Sequence, residues 1–285
     1  MPTTLDIFEI VNTDLYPILE PDSTQRRQLI ERCRNELQQK QYCSLEDFIT
    51  PTALARMSKE AIELQTLAYH NNAWRNCYLH RQQDQALPAD HPRNLQDRSS
   101  VRMIAYDQLA ETSPLKAFYR AEPVRSLVAQ IVGEGALFNN EDPYQPANYV
   151  CYRDGDESSW HFDADNSFTM TLMVQAAGVG GDFEMSPETR TDNDQNYAHV
   201  ADVLNGRRDD SVVSIARKPG ALCIFRGCNS LHRVTPVHGD TLRIMGVFVY
   251  EFAPGIVGDP EVNATIYGPR AGAGADRATP VTYGR

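Results

Sequence analysis

The sequence predicts a mostly β protein with a helical N-terminal part, the β portion forming a double-stranded β-helix, or jelly roll. Three observations lead there. Apolar residues recur at helical spacing in three segments before residue 135. From about residue 148 that spacing gives way to short apolar runs separated by Gly- and Pro-containing turns. No long helical pattern interrupts those runs, which favours an antiparallel sandwich or barrel over a parallel sheet with crossover helices.

In chain order, Pro21-Asp22-Ser23 is a helix start signal, and Leu29, Ile30, Cys33 and Leu37 then share one face of a helix to about Lys40. Thr50-Pro51 opens a second helix, with Leu54, Met57, Ile62, Leu64 and Leu67 expected to be buried. Segment 81–100 is polar, contains Pro88 and Pro92, and reads as an exposed loop. Ser113-Pro114 opens a third helix carrying Phe118, Val124, Leu127, Val128 and Ile131 and ending at Gly133-Glu134-Gly135. Strands are expected at 148–153, 168–178, 182–185, 212–215, 221–225 and 242–252. The Ala/Gly stretch after Arg270 has no core-forming pattern. The expected organisation is a single domain over 1–270, with a helical support (1–135) against a jelly-roll, cupin-like core (136–270) and a flexible tail (271–285).

The chain has 285 residues, 41% of them hydrophobic, enough for one sizeable core or two small ones. A net charge of -11 argues against nucleic-acid binding and against an anionic membrane surface. No apolar run reaches the length of a membrane-spanning helix, and the N-terminus lacks a signal-peptide pattern. Six cysteines without C-x-x-C spacing fit a reducing compartment. The expectation is a soluble, cytoplasmic protein, with a homodimer left open.

The chemistry concentrates at Trp160-His161-Phe162-Asp163. In H-x-D at a strand end the imidazole and the carboxylate lie on the same side of the chain, because side-chain direction repeats every second residue. Alone the motif carries little; exposed strand-end polar residues and an Asx turn produce it readily. Leu231-His232-Arg233 offers a second imidazole. Two imidazoles and one carboxylate on one face of a metal form the facial set of non-haem Fe(II) sites, which leaves three positions open for a chelating 2-oxoacid and O₂. Arg243 follows His232 by eleven positions, on a strand expected to neighbour it across a turn at His238-Gly239-Asp240. A guanidinium there suits the distal carboxylate of the 2-oxoacid. Two other readings use the same residues: a cupin-like protein that holds a metal without turnover, and a zinc hydrolase.

Trp160-His161-Phe162-Asp163, Thr169-Met170-Thr171-Leu172-Met173-Val174-Gln175 and Gly180-Gly181-Asp182-Phe183-Glu184 are joined by Lys218-Pro219-Gly220-Ala221-Leu222, Phe225-Arg226-Gly227 and Ser230-Leu231-His232-Arg233-Val234-Thr235-Pro236-Val237. Together these resemble the 2-oxoglutarate/Fe(II)-dependent dioxygenases, and more narrowly the bacterial family of free-amino-acid halogenases and related hydroxylases. The resemblance covers roughly residues 148–255. It implies His161, Asp163 and His232 as iron ligands and catalytic centre, Arg243 as the 2-oxoglutarate anchor, and Fe(II), 2-oxoglutarate and O₂ as cofactors. It also implies decarboxylation of 2-oxoglutarate to succinate with a ferryl intermediate. Halogenases of this kind carry a small residue where Asp163 stands, leaving room for halide, so hydroxylation is the expected outcome; desaturation, or action on another natural product or a protein, is the alternative.

The expected substrate is a free amino acid or an amino-acid-like small molecule. Parity places Met245, Val247 and Val249 on the strand face of Arg243, an apolar wall. Trp160, Tyr152, Asp165, Asn166 and Val247 are the candidate substrate contacts. Glu141-Asp142, Arg190 and Arg226 are read as solvated or structural charges, and segments 81–100 and 186–211 as candidate lids.

Overall fold

A computed structural model describes residues 5–164, 168–207 and 209–272. The chain begins with α1 (Ile7–Ile10) and α2 (Thr24–Lys40). The expected start signal is used: Ser23 Oγ accepts from the Arg26 amide at 3.1 Å. Cys33 and Leu37 are buried along α2 as its spacing predicts. A strand that the sequence reading lacks, β1 (Tyr42–Leu45), precedes α3 (Pro51–Glu63), which Thr50 caps.

The buried face of α3 is Ala53, Met57 and Ala61. Ile62 and Leu67, expected in the core, are half exposed. The i, i+4 stripe Ala53-Met57-Ala61 lies against the core, Leu54 and Leu64 pack beside it, and Ile62 falls on the outer side.

The first half also holds β2 (Tyr69–Asn76) and β3 (Gln96–Ile104), a pair of antiparallel strands, β2 in a stretch that had no assignment and β3 beginning within the expected loop. The expected loop 81–100 is therefore loop only until residue 95. Both strands are polar and β2 is a sheet edge, so neither shows the apolar alternation that marks a half-buried strand. The third expected helix is two, α4 (Pro114–Arg120) and α5 (Glu122–Val132), broken at Ala121 just ahead of Pro123, a residue that cannot continue a helix. Gly133 ends α5 at φ 89°, as read.

There follow β4 (Phe138–Asn139), β5 (Ala147–Tyr152), β6 (Ser158–His161), β7 (Thr169–Gln175), β8 (Val179–Gly180), β9 (Phe183–Ser186) and α6 (Tyr197–Leu204). The chain continues through β10 (Val213–Ile215), β11 (Leu222–Phe225), β12 (Leu231–Val234), β13 (Val237–His238), β14 (Arg243–Phe248), β15 (Tyr250–Glu251) and α7 (Pro260–Tyr267). The expected strand 242–252 leaves its sheet after Phe248, and β15 pairs with β4 instead. Residues 273–285 of the expected tail lie outside the described residues.

Strands β1-β11-β7-β14-β5-β3-β2 form a seven-stranded sheet and β10-β9-β12-β6 a four-stranded one, antiparallel throughout. They are the two walls of a jelly roll, and neither closes into a barrel. The strands of His232 and Arg243, expected to be neighbours, lie in different sheets. β12 lies in the small sheet between β9 and β6, and β14 in the large one between β7 and β5. The turn between them carries the chain from one wall to the other, as sandwich connections do.

Alternation sorts each strand between layers. Met170, Leu172, Val174, Ile244 and Phe248 face the helices in one apolar cluster. Met173, Tyr152, Met245, Phe183, Met185, Phe225 and Val234 meet between the sheets in another. On the far side of the small sheet, Trp160, Phe162 and Leu231 pack with Val200 and Val203 of α6. The expected lid 186–211 thus contributes a packed helix on the outer face of that sheet. At about 25 cal/mol per Å² of apolar surface, these layers carry most of the folding drive.

Candidate active site

β6 and β12 pair antiparallel with His161 directly opposite His232, their rings 4.3 Å apart between centroids. Both imidazoles point between the sheets, where the Phe183 and Phe225 rings flank His232 at 5.7 and 5.1 Å. Each ring is fixed by its own strand: Nδ1–H of His161 donates to the Ser159 carbonyl at 2.7 Å, and Nδ1–H of His232 to the Ser230 carbonyl at 2.9 Å. A carbonyl only accepts, so each Nδ1 carries the proton and each Nε2 presents a lone pair inward.

Asp163 lies two residues beyond the end of β6, its amide donating to the Gly227 carbonyl at 3.1 Å. Its Oδ1 stands 3.7 Å from Nε2 of His161 and 3.5 Å from Nε2 of His232. Its Oδ2 accepts from the Thr169 hydroxyl. Gly227 passes so close that a Cβ there would run into Oδ2 of Asp163. The loop after β11 and the first residue of β7 therefore make a cradle of carboxylate size.

Burial holds His161 down to a pKa of about 3, with His232 and Arg75 pushing the same way against Asp163. Its ring is neutral at neutral pH, the form that ligates. Burial by itself would raise the Asp163 pKa, but His232, His161 and the Thr169 hydroxyl hold it below the usual carboxylate range. The three donors lie within 4.8 Å of one another. Two imidazoles and one carboxylate, all on one side, fit a divalent transition metal with open positions.

Arg243 is 1% exposed at the start of β14. Nε donates to the Gly181 carbonyl at 2.8 Å and the guanidinium carbon sits 5.0 Å from the Tyr152 ring, but Nη1 and Nη2 are buried without a hydrogen-bond partner. Burial lowers its pKa to about 10, which still leaves it cationic. A buried guanidinium with its fork open is costly unless an anion fills it. That fits the distal carboxylate of 2-oxoglutarate.

The structure thus brings His161, Asp163 and His232 together, with Arg243 facing them from the opposite wall. Tyr152 is the cross-strand partner of Arg243 and lies beneath it. Val247 shares the inner face with Met245. Trp160 points the other way, packed on the outer side of the small sheet under Arg233 at 4.7 Å. Asp165 and Asn166 lie outside the described residues.

Three residues escaped the sequence reading. Thr169 and Gly227 stand within the family-like motifs but carried no assigned role there; alternation along β7 from the inward Met173 would have turned Thr169 inward. Arg75 left no signal, because β2 itself was not recognised. Its Nε is buried without a partner, burial lowers its pKa, and Tyr152 and Asp163 supply the opposing pull.

Among solved structures the chain is similar to a 2OG-Fe(II) oxygenase family oxidoreductase from Burkholderia pseudomallei, with TM-score 0.50 and 15% identity over 80% of this chain and 92% of that one. It is also similar to the non-heme alpha ketoglutarate dependent carbocyclase SnoK from nogalamycin biosynthesis, with TM-score 0.54 and 11% identity over 79% and 85%. The corresponding epimerase SnoN gives TM-score 0.51 and 13% identity over 79% and 81%. No curated protein sequence matches. The fold is thus that of solved structures described as 2OG-Fe(II) or alpha ketoglutarate dependent non-heme enzymes, and the donor set fits a non-haem metal with open positions. More narrowly, the Halogenase D family model matches residues 25–255, and the chain belongs to that family.

Proposed function

We propose that the chain is an Fe(II)/2-oxoglutarate-dependent hydroxylase of a free amino acid or an amino-acid-like small molecule. The observation that carries this reading is Asp163, a carboxylate ligand seated in a cradle formed by Gly227 and Thr169. Bound iron, with 2-oxoglutarate and O₂, supplies the oxidising power to break an unactivated C–H bond while the co-substrate leaves as succinate and CO₂. Nε2 of His161, Nε2 of His232 and Oδ1 of Asp163 would hold the metal. Arg243 would hold the distal carboxylate, with Tyr152 beneath its guanidinium. Halide has no place at a position already taken by a carboxylate, so oxygen is the atom transferred.

The inner wall next to the centre is apolar at Met245 and Val247, suited to an aliphatic portion. Arg75, cationic and short of a partner, suits the carboxylate of an amino acid. In this reading residues 1–270 work as one domain, in the cytoplasm, where six free thiols are at home.

The test is anaerobic addition of Fe(II) and 2-oxoglutarate, followed by O₂ with a pool of free amino acids. A visible charge-transfer band and a product heavier by one oxygen are expected. Asp163→Ala should abolish that product. Unimpaired hydroxylation by this variant would overturn the reading, as would a wild type with verified iron that shows no band.

A further inference from the structure

Besides Arg243 and Arg75, the space between the sheets holds a third guanidinium, that of the partly buried Arg217, to which no role has been given. Arg217 follows β10 and reaches into the large sheet, where Nη1 donates to Thr171 Oγ1 at 2.9 Å and Nη2 to Cys223 Sγ at 3.5 Å. Its guanidinium carbon lies 3.7 Å from the centre of the Phe183 ring and 5.4 Å from that of Phe225, the two rings that flank His232. Its Nε is buried with no partner.

Thr171 and Cys223 face each other across β7 and β11, and Val247 of β14 completes the row. Arg217 thus stands beside the strand that carries Arg243. Burial lowers the pKa of each arginine, and Arg217 lowers that of Arg243 further. Asp182 offsets part of the charge on Arg243 from beyond contact distance, whereas no carboxylate among the described residues acts on Arg217 in the same way. A hydroxyl, a thiol and two aromatic faces offer Arg217 no counter-charge. Two like charges enclosed in one interior are unfavourable unless anionic charge of matching size enters between them.

We propose that Arg217 is a second anion anchor of the co-substrate pocket, which makes the pocket selective for dianions: short dicarboxylates with one carboxylate on the Arg243 fork and the other offset by Arg217. The proposal rests on the oxygenase reading and extends it. Both 2-oxoglutarate and its product succinate are dianions, so the pocket retains succinate after turnover and discriminates against monocarboxylic 2-oxoacids of similar length.

Calorimetric titration of the zinc-loaded protein, which binds without turning over, with 2-oxoglutarate, succinate and butyrate provides the test. Wild type is expected to bind succinate more tightly than butyrate. Arg217→Gln should weaken succinate by about tenfold or more and leave butyrate and zinc affinity unchanged, while Arg217→Lys recovers part of the loss. Arg243→Gln should weaken both acids. Melting temperatures separate this from a structural role. Removing an unneutralised, partly buried cation should leave the ligand-free protein as stable or more so, yet erase the rise that succinate produces. An Arg217→Gln variant that binds succinate as wild type does, or whose ligand-free melting temperature falls while the succinate-induced rise persists, overturns the proposal. A wild type that binds neither 2-oxoglutarate nor succinate overturns the oxygenase reading itself.

Discussion

Asp163 is held at three points: its amide to Gly227, Oδ2 to Thr169, and Oδ1 toward the two imidazoles. Groups that orient a metal ligand are worth roughly 10–100-fold in affinity. Gly227→Ala, which drives a Cβ into Oδ2, is expected to weaken Co(II) binding by about that factor, as read from the d–d absorption bands. Thr169→Val should do the same to a smaller degree and Thr169→Ser should restore it, because only the hydroxyl matters. His161 makes a pH prediction for the metal-free protein. Its pKa is about 3 in the fold against 6.5 for the free side chain, so the unfolded chain binds the extra proton. Its contribution to stability is complete above pH 6.5 and drains away as pH falls toward 3. Urea midpoints from about pH 7 to about pH 4 should fall for wild type and fall less for His161→Asn.

At the scale of elements, the site depends on two walls holding their register. β6 and β12 set the imidazoles opposite each other, and β14 aims Arg243 across the gap. The turn at Gly180-Gly181 is where the second wall reaches Arg243. Gly181 has φ +68°, accepts from Arg243 Nε, and a Cβ there would lie 2.8 Å from Arg243 Cδ. Gly181→Ala is therefore expected to raise the dissociation constant for 2-oxoglutarate by about tenfold while metal affinity is unchanged. Loss of both together in calorimetry would mean that the turn supports the whole sheet instead. The element scale also explains why Trp160 leaves the site although it adjoins His161: a one-residue step along a strand crosses to the other face.

For the molecule as a whole, the helices are a wall that the large sheet requires. Leu172 is fully buried between them. Leu172→Ala is expected to cost about 2–5 kcal/mol in urea unfolding. Ile62→Ala, on the exposed side of α3, should change stability by no more than about 0.5 kcal/mol. The N-terminal half supplies more than a wall. Its strands β1, β2 and β3 complete both edges of the seven-stranded sheet, and β2 delivers Arg75 to the centre. Among the described residues no helix is long and apolar enough to cross a membrane.

What the sequence determined by itself is what short-range pattern encodes. The helix starts at Ser23, Thr50 and Ser113 and the strands near 148–153, 168–178, 182–185, 212–215, 221–225 and 242–252 were legible, as was the H-x-D pair His161 and Asp163, because capping and alternation act over a few residues; β12, which carries His232, was not read as a strand. Tertiary structure alone decided which sheet each strand joins, and so that His232 and Arg243 face each other across a gap instead of lying side by side. It also decided that polar strands β2 and β3 form at all, since a sheet edge is stabilised by pairing with distant strands and not by its own apolar pattern. The same holds for Arg75, Thr169, Gly227 and Arg217. Their significance lies in what they approach, and proximity between residues tens of positions apart is a property of the packed chain.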